Sequence, residues 1–429
     1  MFSKKCFIVL AMVFWLSPVG FSDDVPPSTS PPGGLSPQNV PQFVNIGFDD
    51  NACDDGMIWV MELFRDKTNP VGINNNPLTY DGSPCRVVFY CTSSYGDWMK
   101  NIWIQAKQEG HEIGNHSVNH DCTESWSYNQ WENEIDSCNN WLKINLDMTS
   151  EDLWGFRTPF LAFNTNTFSA VKDCGIIYDC TLNGGSATGN GTNYNWPYTL
   201  DGGSPGQSSG SHPGLWEVPT HHVIISGGDK QTGLDYNMWV KTSLGGSAMT
   251  KNQFVSTLKN TLDLRYNNNR APFTFGAHSD YYSPTNNDAN EACPNATCQD
   301  RRDALAEFIE YALSKPDVRI VTTIDIIKWM RNPVGLDQTP VIANTEKPVR
   351  SLSLSAIGSN IIKISFPSND FYACKLYGVN GKLIKTIAEG YYIKGSYTLP
   401  LAKRDLAPGS YFVKLKGSNE SRTLKIVSM

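Results

Sequence analysis

GHEIGNHSVNHD, residues 110–121, holds three of the seven histidines in this 429-residue chain. His116 and His120 stand four apart, and two imidazoles with one carboxylate make the usual open ligand set of a catalytic zinc. One helical turn would bring both rings to the same face. Alone the pair is weak evidence, because seven histidines in a chain of this length will sometimes fall four apart by chance. Carboxylates to complete the set stand at Asp49 and Asp50, where the apolar run FVNIGF ends. Neighbouring strand residues point to opposite sides, so one of the two can reach a metal while the other faces a substrate. The bland alternative is a turn carrying two solvated aspartates beside structural histidines. Further reactive side chains end other β-rich runs: Arg157 after LWGF, Asp179 after IIY and His278 after APFTFGA.

Those runs are the elements that must position the chemistry. FVNIGF (43–48), CRVVFYC (85–91), HEIGN, LWGF, IIYDC, LWEV, APFTFGA and VRIVTT alternate with amphipathic patterns such as GDWMKNIWIQAKQEG, in which Met99, Ile102, Trp103 and Ala106 share one helical face. About eight strands alternating with helices predict an α/β fold with a parallel sheet, most simply a distorted (β/α) barrel. Barrels of this kind place their chemistry at the C-terminal ends of the strands, and Asp49, Asp50, His116, His120, Arg157 and His278 all fall on that rim.

The chain divides by composition. Residues 1–22 have a basic start, an apolar run too short for a comfortable membrane span, and small residues before Asp23, which is the layout of a secretory signal. Residues 23–42, rich in Pro and Ser, read as a linker. The body runs from 43 to 332, and 333–350 form a second linker. From 351 to 429, short alternating strands separated by Gly, Asn and Ser turns predict a small all-β sandwich. Ten cysteines follow the signal, an even number that suits disulfides in an oxidising compartment, with Cys174/Cys180 and Cys293/Cys298 as candidate local bridges. A net charge of −7 without a strong basic cluster argues against nucleic acid as a partner. After the signal no segment is apolar for long enough to span a bilayer.

GFDD (47–50), HSVNH (116–120), RTPF (157–160) and AHS (277–279) occur in the order and approximate spacing of the polysaccharide deacetylases, carbohydrate esterase family 4. Together with GHEIGNHS, WGFRTPFL and PGLWEVP, they make the body resemble the insect-type chitin deacetylases across 43–332. The resemblance implies Asp50, His116 and His120 as metal ligands, with Zn²⁺ or another divalent transition metal such as Co²⁺ between them. It implies Asp49 as general base, Arg157 as the residue orienting that base, the Phe160 N–H as an oxyanion donor and His278 as general acid. Pro159, Phe160, Trp196 and Trp216 are the candidates for touching the sugar. The family commonly carries Leu where this chain has Gly276, and Phe275 is one candidate to fill the resulting space. The partner of His278 stays unassigned, with Asp179, Trp196 and the segment Trp216 to Pro219 as candidates. His111, His221 and His222 read as structural.

The last 80 or so residues resemble the C-terminal sorting domains of the type IX secretion system. The competing reading is a carbohydrate-binding sandwich, for which Tyr391 and Tyr392 are the only adjacent tyrosine pair. The expectation is therefore a secreted, metal-dependent deacetylase of N-acetylglucosamine polymers, with a polysaccharide as substrate and secretion machinery as a further partner. Acetylxylan or peptidoglycan are the alternative substrates. A non-catalytic polysaccharide-binding protein is the reading from a different class.

Overall fold

FVNIGFD is apolar almost without interruption, and all eight residues of the strand it forms are buried. A strand covered on both faces belongs in the middle of a parallel sheet. In the computed structural model this strand, β1 (Gln42–Asp49), is the hub of a nine-stranded sheet. The structure describes residues 23–337 and 351–428, apart from 73, 150–151, 184–189, 358–360, 369, 393–394, 401–405 and 418–419. The signal and most of the second linker lie outside the described residues.

The remaining strands of the sheet are β2 (Val88–Cys91), β3 (Glu112–Asn115), β4 (Gly155–Phe156), β5 (Tyr178–Asp179), β6 (Tyr198–Leu200), β7 (His212–Glu217), β10 (Phe273–His278) and β11 (Val318–Ile320). β8 (Val223–Ile224) and β9 (Lys230–Gln231) form a separate hairpin. The order β10-β1-β2-β3-β4-β5-β7-β6 is parallel except at β6, and β11 pairs with the start of β1. This is the expected distorted barrel: the eight strands anticipated from the sequence are present, and β6 and the hairpin are additions.

Helices cover the sheet. They are α1 (Asp54–Arg65), α2 (Gly96–Gln108), α3 (Tyr128–Asn145), α4 (Thr165–Asp173), α5 (Asp235–Trp239), α6 (Lys251–Tyr266), α7 (Asn287–Ala292), α8 (Cys298–Leu313) and α9 (Thr323–Arg331). In α1, Met57, Val60, Met61 and Phe64 recur at helical spacing and are buried against the sheet. Ser127 and Gln130 cap α3 reciprocally, which fixes where that long helix starts.

Two expectations need correction. Residues 23–41 are extended apart from 3₁₀ turns at Pro32–Gly34 and Pro37–Asn39, yet they lie along the body. Asp23 pairs with Arg331 at 2.6 Å and accepts from Trp216 Nε1 at 2.8 Å, while Thr199 N–H donates to the Val25 carbonyl and Trp196 N–H to that of Ser28. The cysteines also differ from expectation: all ten are free thiols. Cys174 packs toward α3, with its Sγ 3.9 Å from the Glu132 carbonyl, whereas Cys180 accepts from the Tyr90 hydroxyl in the sheet interior, so the two face different layers. Cys293 and Cys298 likewise remain unbridged.

Beyond residue 351 two antiparallel sheets face each other. β12 (Ser353–Ile357), β13 (Ile361–Phe366) and β16 (Gly395–Pro400) form one; β14 (Asp370–Gly378), β15 (Leu383–Tyr392), β17 (Gly409–Lys416) and β18 (Ser421–Ser428) form the other. They enclose a core of their own around Phe366, Leu376 and Val413. Tyr392 belongs to that core, 4.6 Å from the Phe366 ring, and so does not offer a sugar platform.

Candidate active site

The parallel register brings the C-terminal ends of the strands together. Asp49, the last residue of β1, pairs directly with His278, the last of β10. Immediately beyond Asp49 the backbone turns through left-handed conformations at Asp50 and Asn51, φ 64° and 61°. Asparagine tolerates that conformation better than most residues. The Asn51 side chain locks the turn by donating to the carbonyls of Phe48 and Tyr90, at 2.8 and 2.9 Å.

His116 and His120 follow β3 in a loop, not on the helix that their spacing suggested. Ser117 and His120 have φ 69° and 58°, so left-handed residues, not a helical turn, bring the rings together. The loop is held from outside by Glu134 of α3, whose carboxylate accepts from the Val118 and Asn119 amides at 2.9 and 3.1 Å and from the Asn119 side chain at 2.8 Å. His116 Nδ1 lies 2.7 Å from the Arg157 carbonyl, which can only accept. Nδ1 therefore carries the proton, and the Nε2 lone pair points at Asp50.

Asp50 Oδ1 is 3.0 Å from His120 Nε2 and 3.4 Å from His116 Nε2. It is buried and has no hydrogen-bond partner among the described residues. Two ligand atoms about 2.1 Å from a tetrahedral zinc lie about 3.4 Å apart, so this unpartnered oxygen and the two ring nitrogens fit a divalent cation.

Asp49 faces away from that triad. Its Oδ1 accepts from Arg157 Nη1 at 2.7 Å. Arg157 is itself buried, over the Tyr90 ring at 4.5 Å, and passes close to Gly47, where a Cβ would come within 3.0 Å of the guanidinium. Burial opposes the charge on Arg157, and the Asp49 carboxylate overcomes that and raises its pKa.

His278 has a partner that the sequence reading left open. Asp235, the first residue of α5, accepts from His278 Nδ1 at 2.7 Å and from its backbone N–H at 3.0 Å. Burial would strip the imidazole of its proton, but the Asp235 carboxylate outweighs it and pushes the pKa up to about 10. The ring is thus an imidazolium at neutral pH. Asp179, the earlier candidate, instead accepts from the Thr181 amide and hydroxyl. The signal for Asp235 was faint, because α5 has five residues, too few to show a helical period.

Trp196 and Trp216 do not line the cavity. Both are buried in a core cluster, Trp196 stacked on Trp329 and Trp216 bonded to Asp23, and so neither has a face to offer a sugar. Pro159 is also buried, as the start of a short 3₁₀ turn. Phe160 is 71% exposed, with φ 58° and its ring 4.5 Å from that of His120. Phe275 is buried and does not fill the space beside Gly276. Leu234 does: a Cβ on Gly276 would sit 2.0 Å from Leu234 Cδ2, and Leu234 lines the cavity. An apolar wall therefore comes from the segment before α5 instead of from β10. Asp49, the triad, Leu234 and His278 border one cavity of about 720 Å³.

His111 accepts from Val87 N–H and is pushed down to about 3 by burial, and His221 stacks on Tyr194. Both lie away from this cavity.

Parts of this chain are similar to known families and proteins. Residues 83–178 match the polysaccharide deacetylase family, and residues 358–429 match the secretion system C-terminal sorting domain. Over 327 residues the chain is 26% identical to chitin deacetylase 8 of Bombyx mori, covering 72% of this chain and 76% of that protein. It is 24% identical to chitin deacetylase 1 of the same species, covering 70% of this chain and 53% of that protein. Among solved structures, one from Mycobacterium smegmatis described as a polysaccharide deacetylase aligns with 72% of this chain and 95% of its own, at 14% identity and a TM-score of 0.49. The sorting-domain match implies export to the cell surface or beyond. Among the described residues no helix is long and apolar enough to cross a membrane.

Proposed function

We propose that this protein hydrolyses the N-acetyl groups of N-acetylglucosamine polymers, chitin or its oligomers, in a metal-dependent reaction that releases acetate. The observation that carries the proposal is the meeting of three units at one cavity: the Asp50–His116–His120 triad, the Asp49–Arg157 pair and the His278–Asp235 pair. The names of the two silkworm relatives favour chitin as the polymer.

Asp50, His116 and His120 would hold a divalent metal, for which Zn²⁺ suits the donor set and Co²⁺ is the alternative. When bound, the metal supplies Lewis-acid polarisation of the acetyl carbonyl and makes water acidic enough to be a nucleophile near neutral pH. Asp49, fixed by Arg157, takes the proton of the attacking water. The Phe160 N–H, on the left-handed turn after β4, would receive the oxyanion. His278 gives its proton to the departing nitrogen, so the C–N bond breaks to a free amine and acetate. Leu234 supplies an apolar wall for the acetyl methyl group.

The test is acetate release by the full chain from chitin oligomers and from acetylxylan, side by side, after chelation and after Zn²⁺ is restored. Release from chitin oligomers that returns only with metal is the expected result. Release from acetylxylan alone would overturn the substrate while keeping the mechanism, and activity unaffected by chelation would overturn the metal.

A further inference from the structure

Among the described residues of the deacetylase body, two Trp or Phe side chains are strongly exposed, Trp98 at 57% and Phe160 at 71%. Their positions are not scattered. Trp98 lies in the first turn of α2, directly after β2, and Phe160 follows β4. β3, whose loop carries His116 and His120, lies between those two strands in the sheet. The two exposed rings therefore flank the histidine loop along the rim.

Trp98 does not serve the core. The buried stripe of α2 is Met99, Trp103 and Ala106, and Trp98 stands off it. It is nevertheless held in place. Its Nε1 donates to the Ala52 carbonyl at 2.8 Å, and its ring lies 5.5 Å from that of Tyr95 at an angle of 39°. Ala52 and Tyr95 both line the cavity. The indole is thus pinned by its polar edge to the cavity wall while much of its surface stays open to solvent. An indole fixed with its N–H satisfied and its surface bare is a rigid apolar plane. The C–H face of a pyranose ring is the complementary surface.

We propose that Trp98 is a stacking platform for the sugar ring next to the one whose acetyl group enters the cavity. A glycan chain passing over the histidine loop can meet Trp98 on one side and Phe160 on the other. The enzyme thereby prefers oligomers that reach beyond the cavity over single acetylated units. This inference rests on the glycan-deacetylase reading above.

The test compares the full, Zn²⁺-loaded chain with Trp98→Ala and Trp98→Phe on an N-acetylglucosamine pentamer, an acetylated xylo-oligomer and p-nitrophenyl acetate, which is too small to reach Trp98. On whichever oligomer the parent hydrolyses, Trp98→Ala is expected to raise KM about tenfold more than on the small ester, the loss of roughly one stacked face. Trp98→Phe should recover most of that loss. Equal KM changes on oligomer and ester, or none on the oligomer, would overturn the platform while leaving the deacetylase reading intact. A parent that cleaves only the ester would overturn the glycan reading, and the platform with it.

Discussion

The division of labour at the rim comes down to two adjacent aspartates. Asp49 still belongs to β1 and is held by Arg157, whereas the left-handed turn at Asp50 swings the next carboxylate to the two imidazoles. Opposite them, His278 keeps its proton because of Asp235. Its pKa in the fold lies above the ordinary 6.5, so the pair's contribution to stability is complete below 6.5 and is lost as pH rises through about 10. A general acid of this kind works while protonated, so the alkaline limb of the kcat profile is expected well above 6.5. In Asp235→Asn that limb moves down toward 6.5, read from acetate release across pH; an unmoved limb would remove His278 as the acid. At this scale much was legible in the sequence. Asp49, Asp50, His116, His120, Arg157 and His278 showed themselves by type and by their places at strand ends. Asp235 and Leu234 did not, because they come from the start of a five-residue helix and the residue before it, 43 and 42 residues before the groups they touch.

Elements set those residues by means that local pattern shows only in part. β1, β2 and β10 were readable because buried parallel strands are apolar on both faces. The four-residue spacing of His116 and His120 did not show how their rings meet, since spacing alone cannot distinguish a helical turn from two left-handed residues. What holds the loop is a long-range contact, the Glu134 carboxylate from α3, which no local window contains. Outer supports of metal ligands typically matter by about 10–100-fold in metal affinity. Glu134→Gln is accordingly expected to weaken Zn²⁺ binding at least about tenfold, measured by competition with a chromogenic chelator, while far-UV circular dichroism stays unchanged. Unaltered affinity would mean that the loop holds its shape without α3.

Across the molecule, the segment 23–41 belongs to the catalytic body in spite of its linker-like composition. Composition accounts for its holding nothing longer than two 3₁₀ turns, but not for the backbone partners it finds on the body. A chain starting at residue 43 would lose the Asp23 contacts and leave Trp216 Nε1 without its acceptor, a loss of about 1–3 kcal/mol for that buried donor alone. Its thermal midpoint should fall below that of a chain starting at residue 23, as followed by calorimetry. The sandwich beyond 351 has a core of its own, and none of its described residues lines the cavity. The central claim is that one carboxylate of the pair Asp49 and Asp50 holds the metal while its neighbour does the proton chemistry. The most direct measurement is bound Zn²⁺ and acetate release from chitin oligomers on the same samples of the parent, Asp49→Asn and Asp50→Asn. The account predicts that Asp49→Asn keeps its zinc and loses turnover, and that Asp50→Asn loses both. Turnover surviving in Asp49→Asn, or zinc retained in full by Asp50→Asn, would contradict it.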